Sequence, residues 1–156
     1  MIVNKMGHIA LVVGLSLISL TACFNGGSKS ETTPSSTAST SATPIQNVSN
    51  SELQGLLDKG VTLVDIRTPG EWQETGIIAG SKPITLFEES GAIAPSFVSK
   101  LQQAVSTDKP VALICRTGNR TQAGAQMLQQ LGYKQVYNVT HGIKSWMAEG
   151  RNVSRF

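Results

Sequence analysis

A chain of 156 residues with a formal charge of +3 and only two cysteines has room for one ordinary domain and no cysteine framework to staple it. Its 13 Lys and Arg are scattered along the sequence rather than gathered in one stretch, a pattern that gives no reason to expect a nucleic-acid partner. Function must therefore come from a local site.

The chain opens on a cationic start with Lys5 and His8, then the apolar run Ile9 to Leu20, then Thr21-Ala22-Cys23. The run has 12 residues, against the roughly 20 that a spanning helix needs. That length suits the apolar centre of an export signal. Leu20-Thr21-Ala22-Cys23 resembles the lipobox of bacterial lipoproteins, where small residues before the cysteine permit cleavage and the sulfur receives a diacylglycerol. The resemblance implies a signal peptide over 1–22, a lipid at Cys23 and a domain tethered in the bacterial cell envelope, on the periplasmic side. Phe24 stands where inner-membrane retention is associated with an acidic residue, which agrees with outer-membrane sorting. The plainer alternative is a secretory signal with a chance cysteine. A lipidated Cys23 cannot pair with Cys115, which leaves one free thiol in a compartment that favours disulfides.

Residues 23–45 carry this cysteine and a Ser/Thr/Gly-rich segment with almost nothing apolar to bury. Such a segment cannot offset its own ordering entropy, so a disordered tether is expected, with a typical reach of about 25 Å. The domain is expected over 46–156.

Within it, Gln46-Asn47-Val48 reads as a first strand, and Ser49 with Glu52 three residues on reads as a capping box. Leu53, Leu56 and Leu57 give the following helix one apolar face, which Gly60 closes. Val61 to Ile66 is β-branched enough for a buried strand; "RTPGEW" turns into a short helical segment, and "IIAGSKPITL" predicts a weak strand around a glycine. Phe97, Val98, Leu101 and Val105 share a helical face. Pro110 to Cys115 predicts another strand, followed by a helix lined by Ala123, Met127, Leu128 and Leu131 and ended by Gly132. "KQVYNV" predicts the last strand, and "HGIKSWMAEG" a final helix with Ile143, Trp146 and Met147 facing inward. Strands alternating with helices predict an α/β fold, a parallel sheet covered on both faces, with its crevice at the carboxyl ends of the strands. Cys115 and Asp65 both lie at such ends.

A thiol attacks only as thiolate, a form favoured by backbone N–H groups, cations and a helix N-terminus. The loop Cys115-Arg116-Thr117-Gly118-Asn119-Arg120 offers all three: Gly118 lets the amides curl inward, Arg116 and Arg120 bring charge, and a helix begins near Asn119. Such a bowl binds an anion, or a persulfide on the sulfur itself. A lone cysteine ending an apolar strand is otherwise a small core residue, and arginines in a first helical turn are otherwise solvated. The combination, on an unpaired exported thiol, favours the chemical reading.

"LVDIRTPGEWQETGIIAGS" (Leu63 to Ser81), "LICRTGNR" (Leu113 to Arg120) and "YNVTHGIKSWMAEG" (Tyr137 to Gly150) resemble the rhodanese, or sulfurtransferase, domain family in order and spacing over nearly the whole globular segment. The resemblance implies a single domain with a five-stranded parallel sheet and helices on both faces. It also implies sulfur transfer without a cofactor, from a small anionic donor such as thiosulfate through a Cys115 persulfide to a thiol or cyanide acceptor. Cys115 would be catalytic, and Arg116, Thr117, Gly118, Asn119 and Arg120 would bind substrate. Asp65 would hold neighbouring loops near the site, and Arg67 would pair with an acid such as Glu71. Two departures are visible: Gly76-Ile77-Ile78 replaces the usual Gly-His-Ile, and His141-Gly142 replaces Gly-Gly before the last helix.

Two rival readings share the scaffold. One is a binding or sensing module whose Cys115 accepts a persulfide or an oxidant without turnover. The other is a cysteine-dependent phosphatase or arsenate reductase, which would want Cys-x5-Arg, yet position 121 is Thr and the spacing to Arg120 is Cys-x4-Arg. His141 is either a general acid or simply the polar residue that opens the last helix, and Trp72 and Trp146 are packing residues. No Cys/His set has metal-ligand spacing, and no glycine-rich nucleotide fingerprint follows a strand.

Overall fold

The β-branched runs become the strands of one sheet in the computed structural model, which describes residues 43–156. The expected signal peptide, the lipidation site Cys23 and all but the last three residues of the expected tether lie outside the described residues. The strands are β1 (Gln46–Val48), β2 (Thr62–Asp65), β3 (Lys82–Pro83), β4 (Val111–Ile114) and β5 (Val136–Val139). They lie in the order β1-β5-β4-β2-β3, and every pairing is parallel. The connections are made by α1 (Asn50–Asp58), α2 (Pro69–Thr75), α3 (Phe97–Ala104) and α4 (Asn119–Gln130), and α5 (Gly142–Ala148) follows β5.

Period-2 alternation splits the buried strand residues between two cores. Val64, Ile66, Val111, Leu113 and Cys115 face one cluster, closed by Phe97 and Leu101 of α3 and Leu128 of α4. Leu63, Ala112, Ile114 and Val139 face the other, closed by Leu53 of α1 and by Ile143 and Trp146 of α5. Every residue of β4 and β5 is buried, as parallel strands covered on both faces must be. Two capping boxes start helices. Ser49 and Glu52 form the one the sequence predicts, and Thr68 and Glu71 form a second at α2, with Pro69 in its first turn.

Three local expectations change. The strand predicted over "IIAGSKPITL" shrinks to Lys82–Pro83, because Pro83 has no N–H for a ladder and Ile77 instead exchanges hydrogen bonds with Ser154 of the C-terminal tail. In α4 the inward stripe runs through Thr121, Gly124, Ala125 and Leu128, leaving Ala123 exposed. The helix approaches the sheet so closely that a Cβ on Gly124 would lie 3.0 Å from Leu86 Cδ2 and 3.1 Å from Leu113 Cδ1, so small residues occupy the contact. Met147 of α5 is only partly buried, and Ile143 and Trp146 carry that helix's contact with the core.

Candidate active site

All five strands point the same way, so Asp65 and Cys115 come to one edge of the sheet, at the ends of neighbouring strands. Asp65 is in register with Ile114, and Ile66 N–H donates to the Ile114 carbonyl at 3.0 Å. The chain then leaves β4 through Cys115 and enters α4 at Asn119.

Gly118 makes that short turn possible. It has φ of 95°, is buried, and sits so close to Thr140 that any Cβ would fall on the Thr140 carbonyl oxygen. Held there, its N–H donates to Cys115 Sγ at 3.1 Å. Thr121 Oγ1 donates to the Gly118 carbonyl at 2.7 Å, fixing the first turn of α4. The outer side of the loop is tied to α5, where Ile143 N–H donates to the Cys115 carbonyl at 2.9 Å and Lys144 N–H to the Arg116 carbonyl at 3.1 Å. Gly142, with φ of 63°, is the residue that permits this approach, since a Cβ there would stand 2.6 Å from the carbonyl oxygens of Cys115 and Arg116. His141 before it has ordinary backbone angles, is exposed and makes no side-chain cap. Of the family's two glycines, this geometry demands only the one that the chain keeps.

The sulfur lies deeper than a rim nucleophile. Cys115 is 1% exposed and belongs to the apolar cluster of Val64, Ile66 and Leu113, while Arg116, Thr117 and Asn119 are exposed above it. The two loop arginines, expected to act alike, are placed differently. Arg116 is half exposed and reaches Glu74 only at 3.9 Å. Arg120 is largely covered and grips Glu71 with both terminal nitrogens, at 2.6 and 2.8 Å. The hydrogen bond with Glu71 holds the Arg120 guanidinium above its ordinary range against the effect of burial, with the Glu71 charge and then Cys115 adding in the same direction. Burial pushes the Glu71 carboxyl upward, but hydrogen bonds from Arg120 and Thr68 and the charges of Arg120 and Arg67 outweigh it and leave the group below the usual carboxylate range.

This pairing corrects the expected partner of Arg67. Its Nε donates to both Asp65 oxygens at 2.9 and 3.1 Å, and one terminal nitrogen adds a third bond to Asp65 at 2.7 Å. The remaining donors reach the Glu71 carbonyl, Thr75 Oγ1 and the Gly76 carbonyl. Arg67 thus lies beneath α2 and caps its carbonyl end, where a side-chain contact with Glu71 has no room, because that carboxylate points to the helix start and to Arg120. Asp65 Oδ1 also accepts from the Arg67 backbone N–H at 3.2 Å, so it holds the segment leaving β2 directly and α2 only through the arginine.

Residues 150–156 add contacts that no sequence signal announced. Trp146 Nε1 donates to the Asn152 carbonyl at 2.9 Å, Arg151 lies 4.9 Å from the Trp146 ring centroid, and Phe156 lies 5.1 Å from the ring of the buried Trp72. Beside the cysteine loop, Thr117, His141, Lys144, Ser145 and Ala148 line a shallow groove of about 350 Å³. Among the described residues, no group of three or more His, Cys, Asp or Glu could hold a metal ion.

The family model described as "Rhodanese-like domain" matches residues 49–149. The "Thiosulfate sulfurtransferase GlpE" of Pseudomonas savastanoi pv. phaseolicola is 29% identical over 106 residues, 68% of this chain and 91% of that protein. The "Rhodanese-like/PpiC domain-containing protein 12, chloroplastic" of Arabidopsis thaliana is 32% identical over 108 residues, 66% of this chain, which spans only 34% of that relative. Among solved structures, a rhodanese-related protein from Thermoplasma volcanium superposes with a TM-score of 0.57 at 31% identity, covering 71% of this chain and 99% of that one.

Proposed function

The chain belongs to the rhodanese-like domain family, and from that premise we propose that it is a sulfurtransferase working through Cys115. The Cys115 thiolate attacks the outer sulfur of an anionic donor such as thiosulfate, the donor's S–S bond breaks, and sulfite departs with the bonding pair. The enzyme then carries a persulfide. A nucleophilic acceptor, a thiol or cyanide, attacks the outer sulfur; the persulfide S–S bond breaks and Cys115 leaves as thiolate, with no external oxidant or reductant consumed. The observation that carries this reading is the hydrogen bond from Gly118 N–H to Cys115 Sγ at 3.1 Å, made by a glycine that Thr140 allows no other residue to replace. A donor on that sulfur supports negative charge there. Arg120 supplies the nearby cation, and Arg116, Thr117 and Asn119 meet donor or acceptor at the rim. Asp65 and Arg67 keep the neighbouring helix in place.

The burial of Cys115, at 1% exposure, favours one second reading: a module that accepts a single sulfur or an oxidant without efficient turnover. Thiocyanate release from thiosulfate and cyanide separates the two. Sustained release that vanishes in Cys115→Ser supports the enzyme; a single stoichiometric transfer supports the sensor. Phosphatase chemistry has less support. The position that a Cys-x5-Arg loop gives to arginine holds Thr121, fully buried and donating to Gly118.

The proposal extends to location. Leu20-Thr21-Ala22-Cys23 supports a lipid anchor at Cys23 that holds the domain on the periplasmic side of a bacterial envelope membrane. Cys23→Ser should move the protein from the membrane to the soluble fraction, and unchanged fractionation removes the anchor from the account.

A further inference from the structure

Two arginines share one six-residue loop, and only one of them is clamped. Arg116 is 53% exposed in its side chain, with its nearest acid at 3.9 Å, whereas Arg120 is 29% exposed and forked onto a carboxylate that is itself only 16% exposed. The carboxylate belongs to Glu71, 49 residues earlier in the chain. We propose that Glu71 is a positioning residue for the sulfur transfer described above: its carboxylate fixes the Arg120 guanidinium at the end of the cysteine loop and thereby sets the geometry in which the sulfur reacts. The proposal rests on that reading of Cys115.

Both carboxylate oxygens of Glu71 are already engaged. Oε1 accepts from one terminal nitrogen of Arg120 at 2.6 Å, and Oε2 accepts from the other at 2.8 Å and from Thr68 N–H at 3.1 Å. A parallel fork of this kind fixes orientation as well as distance. The clamp's other end is rigid. Thr68 caps α2, the preceding Arg67 is locked to Asp65 at the end of β2, and Arg67 also ties down the Glu71, Thr75 and Gly76 end of the helix. Beyond that end, Ile77 and Ser154 exchange backbone hydrogen bonds at 2.9 and 2.7 Å. The sheet thus fixes α2, α2 fixes Glu71, and Glu71 fixes Arg120. Without the carboxylate, Arg120 would sample solvent as Arg116 does, losing the orientation that a reacting sulfur needs.

Glu71 also caps α2, so the test must separate the two duties. Glu71→Gln keeps an acceptor for Thr68 N–H, since glutamine serves in a capping box, but gives up the charged fork on Arg120. In the full chain, Glu71→Gln should slow persulfide loading of Cys115 from thiosulfate by about tenfold. In an Arg120→Ala background the same change should alter the rate by less than about twofold, because the two residues act as a unit. The same cycle is read on iodoacetamide alkylation of Cys115, followed at that residue by mass spectrometry, which needs no sulfur donor. Equal effects of Glu71→Gln in both backgrounds, or none in the parent, would overturn the positioning role. Coupling in the alkylation rates alongside no persulfide in the parent would sustain it and reject sulfur transfer instead.

Discussion

Asp65 and Arg67, two residues apart at the end of β2, form an ion pair with side chains only 0% and 1% exposed, and the arginine spends its remaining donors on the carbonyl end of α2. Removing one partner of such a pair leaves an uncompensated buried charge. Asp65→Ala should therefore lower unfolding free energy by about 3–5 kcal/mol, measured by urea denaturation. A loss within the range of an exposed pair would mean that water or other groups take over the arginine. Cys115 chemistry measured well below the new melting point should also slow, but by less than in Glu71→Gln, because Asp65 reaches the site only through Arg67, α2 and the Glu71 clamp.

The loop glycines make a contrasting prediction. Gly118→Ala places a methyl on the Thr140 carbonyl oxygen, and Gly142→Ala places one 2.6 Å from the Cys115 and Arg116 carbonyl oxygens. Both positions have positive φ, so each substitution should cost about 1–3 kcal/mol in backbone strain alone and should abolish persulfide loading by moving the N–H of Gly118 or the carbonyls of the loop. His141→Gly, at an exposed residue with ordinary angles, should change stability by no more than about 0.5 kcal/mol. Thermal melts of the three variants side by side test the ranking.

The arginines of the loop should also separate. Arg120→Ala should cut the rate of sulfur loading from thiosulfate by about tenfold or more, as expected for a charged hydrogen-bonding group beside the reacting atom. Arg116→Ala, which frees only a loose contact with Glu74, should raise the thiosulfate concentration needed for half-maximal rate and leave the maximal rate nearly unchanged. Stopped-flow loading at several ionic strengths distinguishes them. Equal losses from both variants would show that the clamp on Arg120 has no chemical consequence.

Acid should weaken the Glu71 clamp in a defined direction. The Glu71 carboxyl is held below its ordinary value of 4.5, so its contribution to stability is complete above that value and declines as pH falls through it toward the folded-state value. The difference in melting temperature between the parent and Glu71→Gln should therefore shrink between about pH 7 and about pH 3. The exposed Glu52 and Glu149 are lowered as well, but they are present in both proteins and cancel in the difference. A gap that is constant or widens toward acid would contradict the assignment.

Much of the architecture is legible in the sequence because parallel strands buried on both faces must be continuously apolar, as Val111 to Ile114 and Val136 to Val139 are apart from Asn138. Ser49 and Glu52 announce their helix through a local bond pattern, and the run from Cys115 to Asn119 marks the switch from strand to helix. What sequence reading misses depends on distance or on close contact. The stripe of α4 is set by how near Gly124 comes to Leu86 and Leu113, so Ala123 looks equally suitable until the packing is known. The acid partner of Arg67 is missed for the same reason, since nothing local to Glu71 reveals that its carboxylate meets Arg120, 49 positions away. One signal was available. Thr68-Pro69-Gly70-Glu71 is a capping box with proline in its first turn, which commits the Glu71 carboxylate to the start of α2 and away from the carbonyl end where Arg67 lies.

If Cys115 carries one transferable sulfur, mass spectrometry of the full chain after incubation with excess thiosulfate and removal of the donor will detect it. One added sulfur atom is expected at Cys115, absent from Cys115→Ser and removed as thiocyanate when cyanide is added. An unmodified Cys115 under those conditions, or an added sulfur that cyanide cannot take away, would contradict sulfur transfer through Cys115.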